Sequence, residues 1–246
     1  MTGTATAEAI VPAHVQLIQM CAGGWVAAAV YGAAKLGLAD HLADGPRTAD
    51  ELAAHFSEAM IGFHGSEPPT VAEAYDFSGI GTVVDVGGAT GNMLAALLTR
   101  HSRLRGVLFD MPHVVGAAPA LLKERGVDTR VTIETGSFFD GVPTGGDAYL
   151  LSHIIHDWSE AQCLTILGHC RRAMGANGRL LIVETVLPEG DTPHQGKLQD
   201  LVMLLFPGGQ ERTEREYAAL LEKAGFRLQR IVPTTSVVSI VEAVPA

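Results

Sequence analysis

From residue 79 onward the chain alternates short apolar runs with amphipathic stretches. Runs rich in β-branched and aliphatic residues at 82–86, 105–109, 131–135, 147–152 and 179–184 read as strands. The stretches between them, 91–101, 112–125 and 159–174, read as helices. In the first of these, Met93, Leu94, Leu97 and Leu98 supply the apolar positions. Strand–helix alternation predicts a parallel sheet covered by helices on both faces. Ser159 with Gln162, and Thr213 with Glu216, have the spacing of capping boxes, and Gly225 stops the second helix. Ala176-Asn177-Gly178 is a turn into the strand at 179. Two final β runs, 226–232 and 236–241, are joined through Pro233-Thr234-Thr235, a link that suits an antiparallel hairpin because a parallel pair needs a long crossover. The expected fold class is therefore α/β: a Rossmann-like, mostly parallel sheet ending in an antiparallel hairpin.

The preceding residues have a different texture. Residues 1–55 read as helices at 13–31, 32–41 and 48–55, the last opened by the capping pair Thr48 and Glu51. Residues 56–78 read as a short helix, a turn at Gly65-Ser66-Glu67-Pro68-Pro69, and a helix over 70–75. Three regions result: a helical segment (1–55), a helical linker (56–78) and the α/β domain (79–246). The run 20–34 is apolar but rich in Ala and Gly, and is shorter than the ~20 residues a membrane span requires, so it is expected to be a buried or intersubunit helix.

Composition narrows the function classes. The net charge is −10 over 246 residues, and no Lys/Arg stripe is present, which argues against nucleic-acid binding. Cys21, Cys163 and Cys170 have neither metal-ligand nor disulfide-framework spacing. No Lys or Arg precedes Lys35, so a secretory n-region is missing and the expected compartment is the cytoplasm. His153 and His156 have no evident third ligand nearby, so no metal site is expected.

The chemistry concentrates at the strand ends. Asp85-Val86-Gly87-Gly88-Ala89-Thr90-Gly91 follows a strand and opens a helix, the first unit of a nucleotide-binding sheet. A dinucleotide fingerprint counted from Gly87 needs glycine at 89 and 92, where Ala89 and Asn92 stand. The acid-x-Gly-x-Gly-x-Gly loop of S-adenosylmethionine (SAM) enzymes fits better, with Asp85, Gly87 and Gly91 in place and Ala89 for the middle glycine. A purely structural turn is the third reading. Asp110, ending the next apolar run, suits a ribose in SAM and nicotinamide enzymes alike. His156 lies beyond the fourth strand and Glu184 ends the fifth, while Glu211 follows the turn Pro207-Gly208-Gly209. A histidine is matched to take a proton from a hydroxyl near neutral pH, and an adjacent carboxylate fixes its tautomer. Glu184 and Glu211 are the candidates for that partner. For each residue alone, a satisfied structural histidine or a solvated acid is the competing reading.

These motifs resemble the SAM-dependent small-molecule O-methyltransferases that include plant caffeate and flavonoid enzymes and bacterial polyketide-tailoring enzymes. The carriers are Val84-Asp85-Val86-Gly87-Gly88, Phe109-Asp110-Met111-Pro112-His113-Val114-Val115, Gly136-Ser137-Phe138-Phe139-Asp140, His156-Asp157-Trp158, Glu184, and Gly208-Gly209-Gln210-Glu211-Arg212-Thr213. The resemblance implies SAM as cofactor and a cofactor site of Asp85, Gly87, Gly88, Gly91, Asp110, Met111, Ser137, Phe138 and Ser152. It also implies His156 as general base flanked by Glu184 and Glu211, a small-molecule acceptor with an aromatic or polyketide-like hydroxyl, and a homodimer through residues 10–55. Many relatives have Asp where Ser137 stands. The chain also passes from Ala54-His55 to Phe56-Ser57 where the family has a winged-helix subdomain, so that subdomain is expected to be missing. Three other functions stay open: a SAM-binding homologue with other or lost chemistry, a helical interaction protein, and a nicotinamide enzyme.

Overall fold

The computed structural model describes residues 65–205 and 208–246, together with Gly45. The helices expected over 1–55, the proposed dimer segment within them and the short helix after residue 56 lie outside these residues. The described chain opens with helix α1 (Glu67–Ala74) and continues as β1 (Thr82–Val86), α2 (Asn92–Arg100), β2 (Arg105–Asp110), α3 (Ala118–Glu124), β3 (Val131–Thr135) and β4 (Ala148–Ser152). It ends with α4 (Glu160–Ala173), β5 (Arg179–Glu184), β6 (Val186–Leu187), α5 (Gln195–Leu205), β7 (Arg212–Thr213), α6 (Glu214–Lys223), β8 (Phe226–Pro233) and β9 (Ser239–Pro245).

The main sheet has the order β3-β2-β1-β4-β5-β9-β8. β1 to β5 run parallel, and β9 pairs antiparallel with both β5 and β8. The expected hairpin is present, but its link runs over residues 234–238, because Ser236 turns back to Thr234 and Val238 is buried in the core. The central strands β1, β4 and β5 are buried on both faces, as a sheet covered on both sides requires, whereas the edge strand β3 exposes Thr132, Glu134 and Thr135. Along the parallel strands, alternate residues divide between two cores. Val83, Leu108, Leu150 and Leu181 pack with Leu94 and Leu97 of α2, whereas Val84, Tyr149, Leu151 and Ile182 pack with Ile166 and Leu167 of α4 and Tyr217 and Leu221 of α6. Each wholly buried leucine stabilises the fold by roughly 1.5–3 kcal/mol.

Two expectations need correction. Pro68 and Pro69 are not a turn; they lie in the first turn of α1, where a missing N–H costs nothing and the proline ring presets the helical φ. Helix α5 falls where the sequence pattern predicts no element. Its Leu198, Leu201 and Leu204 face solvent, so the segment lacks the apolar-inside pattern by which a helix is recognised.

Candidate active site

The strand order reverses at β1, which has β2 on one side and β4 on the other. Ligands of such sheets sit beyond the carboxyl ends of the strands at that switch point. The glycine loop lies there. Gly87, Ala89 and Gly91 have φ of +73°, +49° and +81°, so every second residue is left-handed. Gly87 and Gly88 both donate to the Phe109 carbonyl, at 2.8 and 3.3 Å, which ties the loop to β2. A Cβ at Gly87 would meet Ile154 Cδ1 at 2.5 Å, and one at Gly88 would come within 2.6 Å of the Asp85 carboxyl group. The loop is thus a tight cradle, and it touches the turn that carries the histidine.

Asp110, half-buried at the end of β2, accepts the Ala89 N–H at 2.9 Å and the Met111 N–H at 2.7 Å. Asp85 is placed differently. It is the penultimate residue of β1, buried beneath Gly88, and neither carboxyl oxygen has a hydrogen-bond partner. Burial and the nearby Asp110 charge push its pKa up to about 7. Met111 is exposed beside Asp110, and Ser152 is half-buried at the end of β4. Ser137 Oγ accepts the Phe139 N–H at 3.2 Å, and Phe138 packs edge-on to Phe139 and Trp158, with ring centroids 5.0 and 6.0 Å away. Phe138 also borders Gly87.

After β4 the chain turns sharply. His153 takes a left-handed φ of +54° and donates its N–H to the Val183 carbonyl at 3.1 Å. The next three N–H groups, of Ile154, Ile155 and His156, then converge on Glu184 Oε1 at 3.1, 2.6 and 3.1 Å. Tyr217 donates its hydroxyl to the other oxygen of Glu184. Glu184 therefore holds the main chain of the histidine turn and makes no hydrogen bond to the imidazole. A carboxylate satisfied by several N–H donors tolerates complete burial.

The imidazole partner is Glu211. His156 Nδ1 donates to Glu211 Oε1 at 2.8 Å, with both side chains nearly closed off from solvent. Asp200 on α5 accepts the Glu211 N–H at 2.8 Å. Burial opposes the charged imidazole, but the Glu211 hydrogen bond and the charges of Glu184, Glu211 and Asp157 outweigh it and push the His156 pKa up to about 9. Burial moves the Glu211 carboxyl upward as well, and the histidine opposes that rise. Nε2, the second ring nitrogen, is 3.6 Å from Asp157 Oδ1. A cavity of about 480 Å³ borders Glu211, Asp200 and Gly209 but includes none of the glycine loop.

Sequence reasoning missed three supports. Tyr217 reads as one more apolar position of α6, Asp200 stands on α5, where the sequence pattern predicts no element, and Glu67 falls in the segment read as a turn. No group of three metal-ligating side chains converges among the described residues.

A family profile described as "O-methyltransferase domain" matches residues 30–227. The chain belongs to this O-methyltransferase family. Phenazine O-methyltransferase PhzM of Lysobacter antibioticus is 48% identical over 190 residues, covering 77% of this chain and 56% of that protein. The solved structure of the mitomycin 7-O-methyltransferase MmcR superposes with a TM-score of 0.76 at 40% identity, over 80% of this chain and 58% of that one. NcsB1 from neocarzinostatin biosynthesis, solved with S-adenosylmethionine and 2-hydroxy-5-methyl naphthoic acid, gives a TM-score of 0.73 at 35% identity, over 80% and 59%. The chain thus spans somewhat over half the length of these relatives.

Proposed function

We propose that this chain binds SAM and methylates a hydroxyl of an aromatic or polyketide-like small molecule, with His156 as general base. The observation that carries this reading is the His156–Glu211 pair. Its Nδ1–H is committed to a buried carboxylate, so Nε2 is the nitrogen that takes a proton. The glycine cradle, the lone pairs of Asp110 and the unpartnered oxygens of Asp85 fit a cationic nucleoside cofactor. Gly87 and Gly88 would lie against it, Asp110 would take the ribose, and Ser137 and Phe138 would line the base. When bound, SAM supplies an activated methyl group. The chain's own contribution is to orient the acceptor oxygen and remove its proton. Three relatives named for or solved with phenazine, mitomycin and naphthoate chemistry support an aromatic acceptor and a role in secondary metabolism.

Residues 10–55 are the proposed homodimer segment, and the cytoplasm is the proposed compartment. Calorimetric titration with S-adenosylhomocysteine tests the cofactor site, and transfer of labelled methyl from SAM to hydroxyphenazines and hydroxynaphthoates tests the reaction. Micromolar binding followed by transfer is expected. A folded chain that binds neither nucleotide overturns the proposal.

A further inference from the structure

A second carboxylate–imidazole pair faces the first. Glu67, the first residue of α1, is buried, and His153 Nε2 donates to its Oε2 at 2.6 Å. The ring of His153 lies 5.2 Å from that of His156, centroid to centroid, tilted by 44°. The two imidazoles are therefore neighbours, and each is held by an acid from a different element.

The backbone singles out His153. Its φ of +54° belongs to the left-handed region, where glycine is accommodated freely and a residue with a Cβ costs of order 1–2 kcal/mol. The turn uses only the main chain here: the His153 N–H goes to Val183, and the three following N–H groups go to Glu184. Glycine would carry no such cost, yet a histidine stands there, bonded to a buried carboxylate. Strain of this kind persists where the surroundings maintain it for a purpose.

The purpose follows from what Glu211 leaves undone. The Glu211 hydrogen bond restrains the His156 ring at its Nδ1 edge, and only a concerted change of χ1 and χ2 can still tilt the ring about that bond. A second ring packed beside it fixes the plane. We propose that the Glu67–His153 pair is a second positioning element for the reaction, setting the plane of the His156 imidazole so that Nε2 stays aimed at the acceptor oxygen. The proposal rests on the reading of His156 as general base. A misaligned base is a recognised route to large losses of rate without loss of binding.

The test uses the full chain labelled with ¹⁵N-histidine, with H156A to assign the His156 Nδ1–H resonance. In the wild type that proton exchanges slowly with water. In H153G, which suits the turn, exchange accelerates at least tenfold while affinity for S-adenosylhomocysteine stays within twofold. H153F, which restores a ring but cannot bond to Glu67, and E67A, which keeps the ring but removes its anchor, both fall between wild type and H153G. With a hydroxynaphthoate or hydroxyphenazine acceptor, H153G lowers kcat about tenfold and leaves KM for SAM unchanged. Wild-type exchange in H153G, or equally fast exchange in H153G and H153F, overturns the positioning role. Full turnover by H156A overturns the base assignment instead, and leaves the exchange result to stand on its own.

Discussion

Gly209 packs directly against the main-chain carbonyl of His156, and no side chain fits between them. The neighbouring Gln210 N–H donates to that same carbonyl at 2.9 Å. The glycine turn before β7 is thereby fastened to the histidine turn after β4, and Glu211, two residues on, arrives at the imidazole already in register.

Gly209→Ala is therefore expected to displace the His156 backbone, because the obstacle is main chain and has no rotamer to yield. A cost of roughly 1–3 kcal/mol is typical of such overpacking. Turnover falls at least tenfold, while S-adenosylhomocysteine affinity stays within about twofold, since the glycine loop is untouched. Parallel kinetics and calorimetry check this, and unchanged turnover refutes it.

The His156–Glu211 pair sets the pH dependence. With a pKa near 9, the imidazole holds a proton at neutral pH and must lose it before acting as a base. Activity is expected to rise with pH up to about 9 and then level off. Glu211→Gln removes the charge that favours the imidazolium, so the rising limb moves to lower pH while the plateau drops. Stability runs the other way. The folded pKa lies above the ordinary 6.5, so the histidine's contribution to stability is complete below pH 6.5 and disappears as pH rises through 9. A pH–rate profile for the two proteins decides the first point, and an unmoved limb in the variant rejects the coupling.

Asp85 is a buried acid whose environment resists ionisation. The unfolded chain ionises it near 3.8 and the folded chain only near 7, so the folded state loses stability as pH rises across that interval. The difference corresponds to about 4 kcal/mol at full ionisation. Asp85→Asn is expected to melt at higher temperature than wild type at pH 8, with a smaller gap at pH 5, where folded Asp85 is already neutral. Melting curves at the two pH values check it; identical curves at pH 8 mean that the carboxylate is already compensated.

Ala89 occupies a left-handed backbone position between two glycines that occupy similar ones. Ala89→Gly is expected to add roughly 1 kcal/mol of stability, or about 2–4 °C in melting temperature for a chain of this size. A lower melting temperature would show that the loop is relaxed as it stands.

Much of this arrangement is visible in the chain itself, for physical reasons. β1, β4 and β5 are legible because strands buried on both faces are nearly continuous apolar runs, and β3 because its apolar and polar residues alternate. α6 is legible because Glu216 accepts the Thr213 N–H at 2.8 Å, a local device written four letters wide. The pairing of His156 with Glu211 is legible only as a family pattern, since 55 residues separate the two. Glu184 shows the limit. Its position at a strand end marks it as an acid of the site, but nothing local says that it grips three main-chain N–H groups rather than a ring. Glu67 and His153 are 86 residues apart, and their pairing depends on how α1 docks on the sheet.

The strand order has a consequence for how this molecule is made. β9 lies between β5 and β8, yet it is synthesised after both. While the ribosome is still reading toward residue 239, the outer edge of β5 has no neighbour, and Glu184, at the tip of β5, is anchored on one side only. The acid that gathers the histidine turn is thus fully enclosed only once β9 is threaded between two strands made before it, so the chemistry is assembled after most of the sheet has been synthesised.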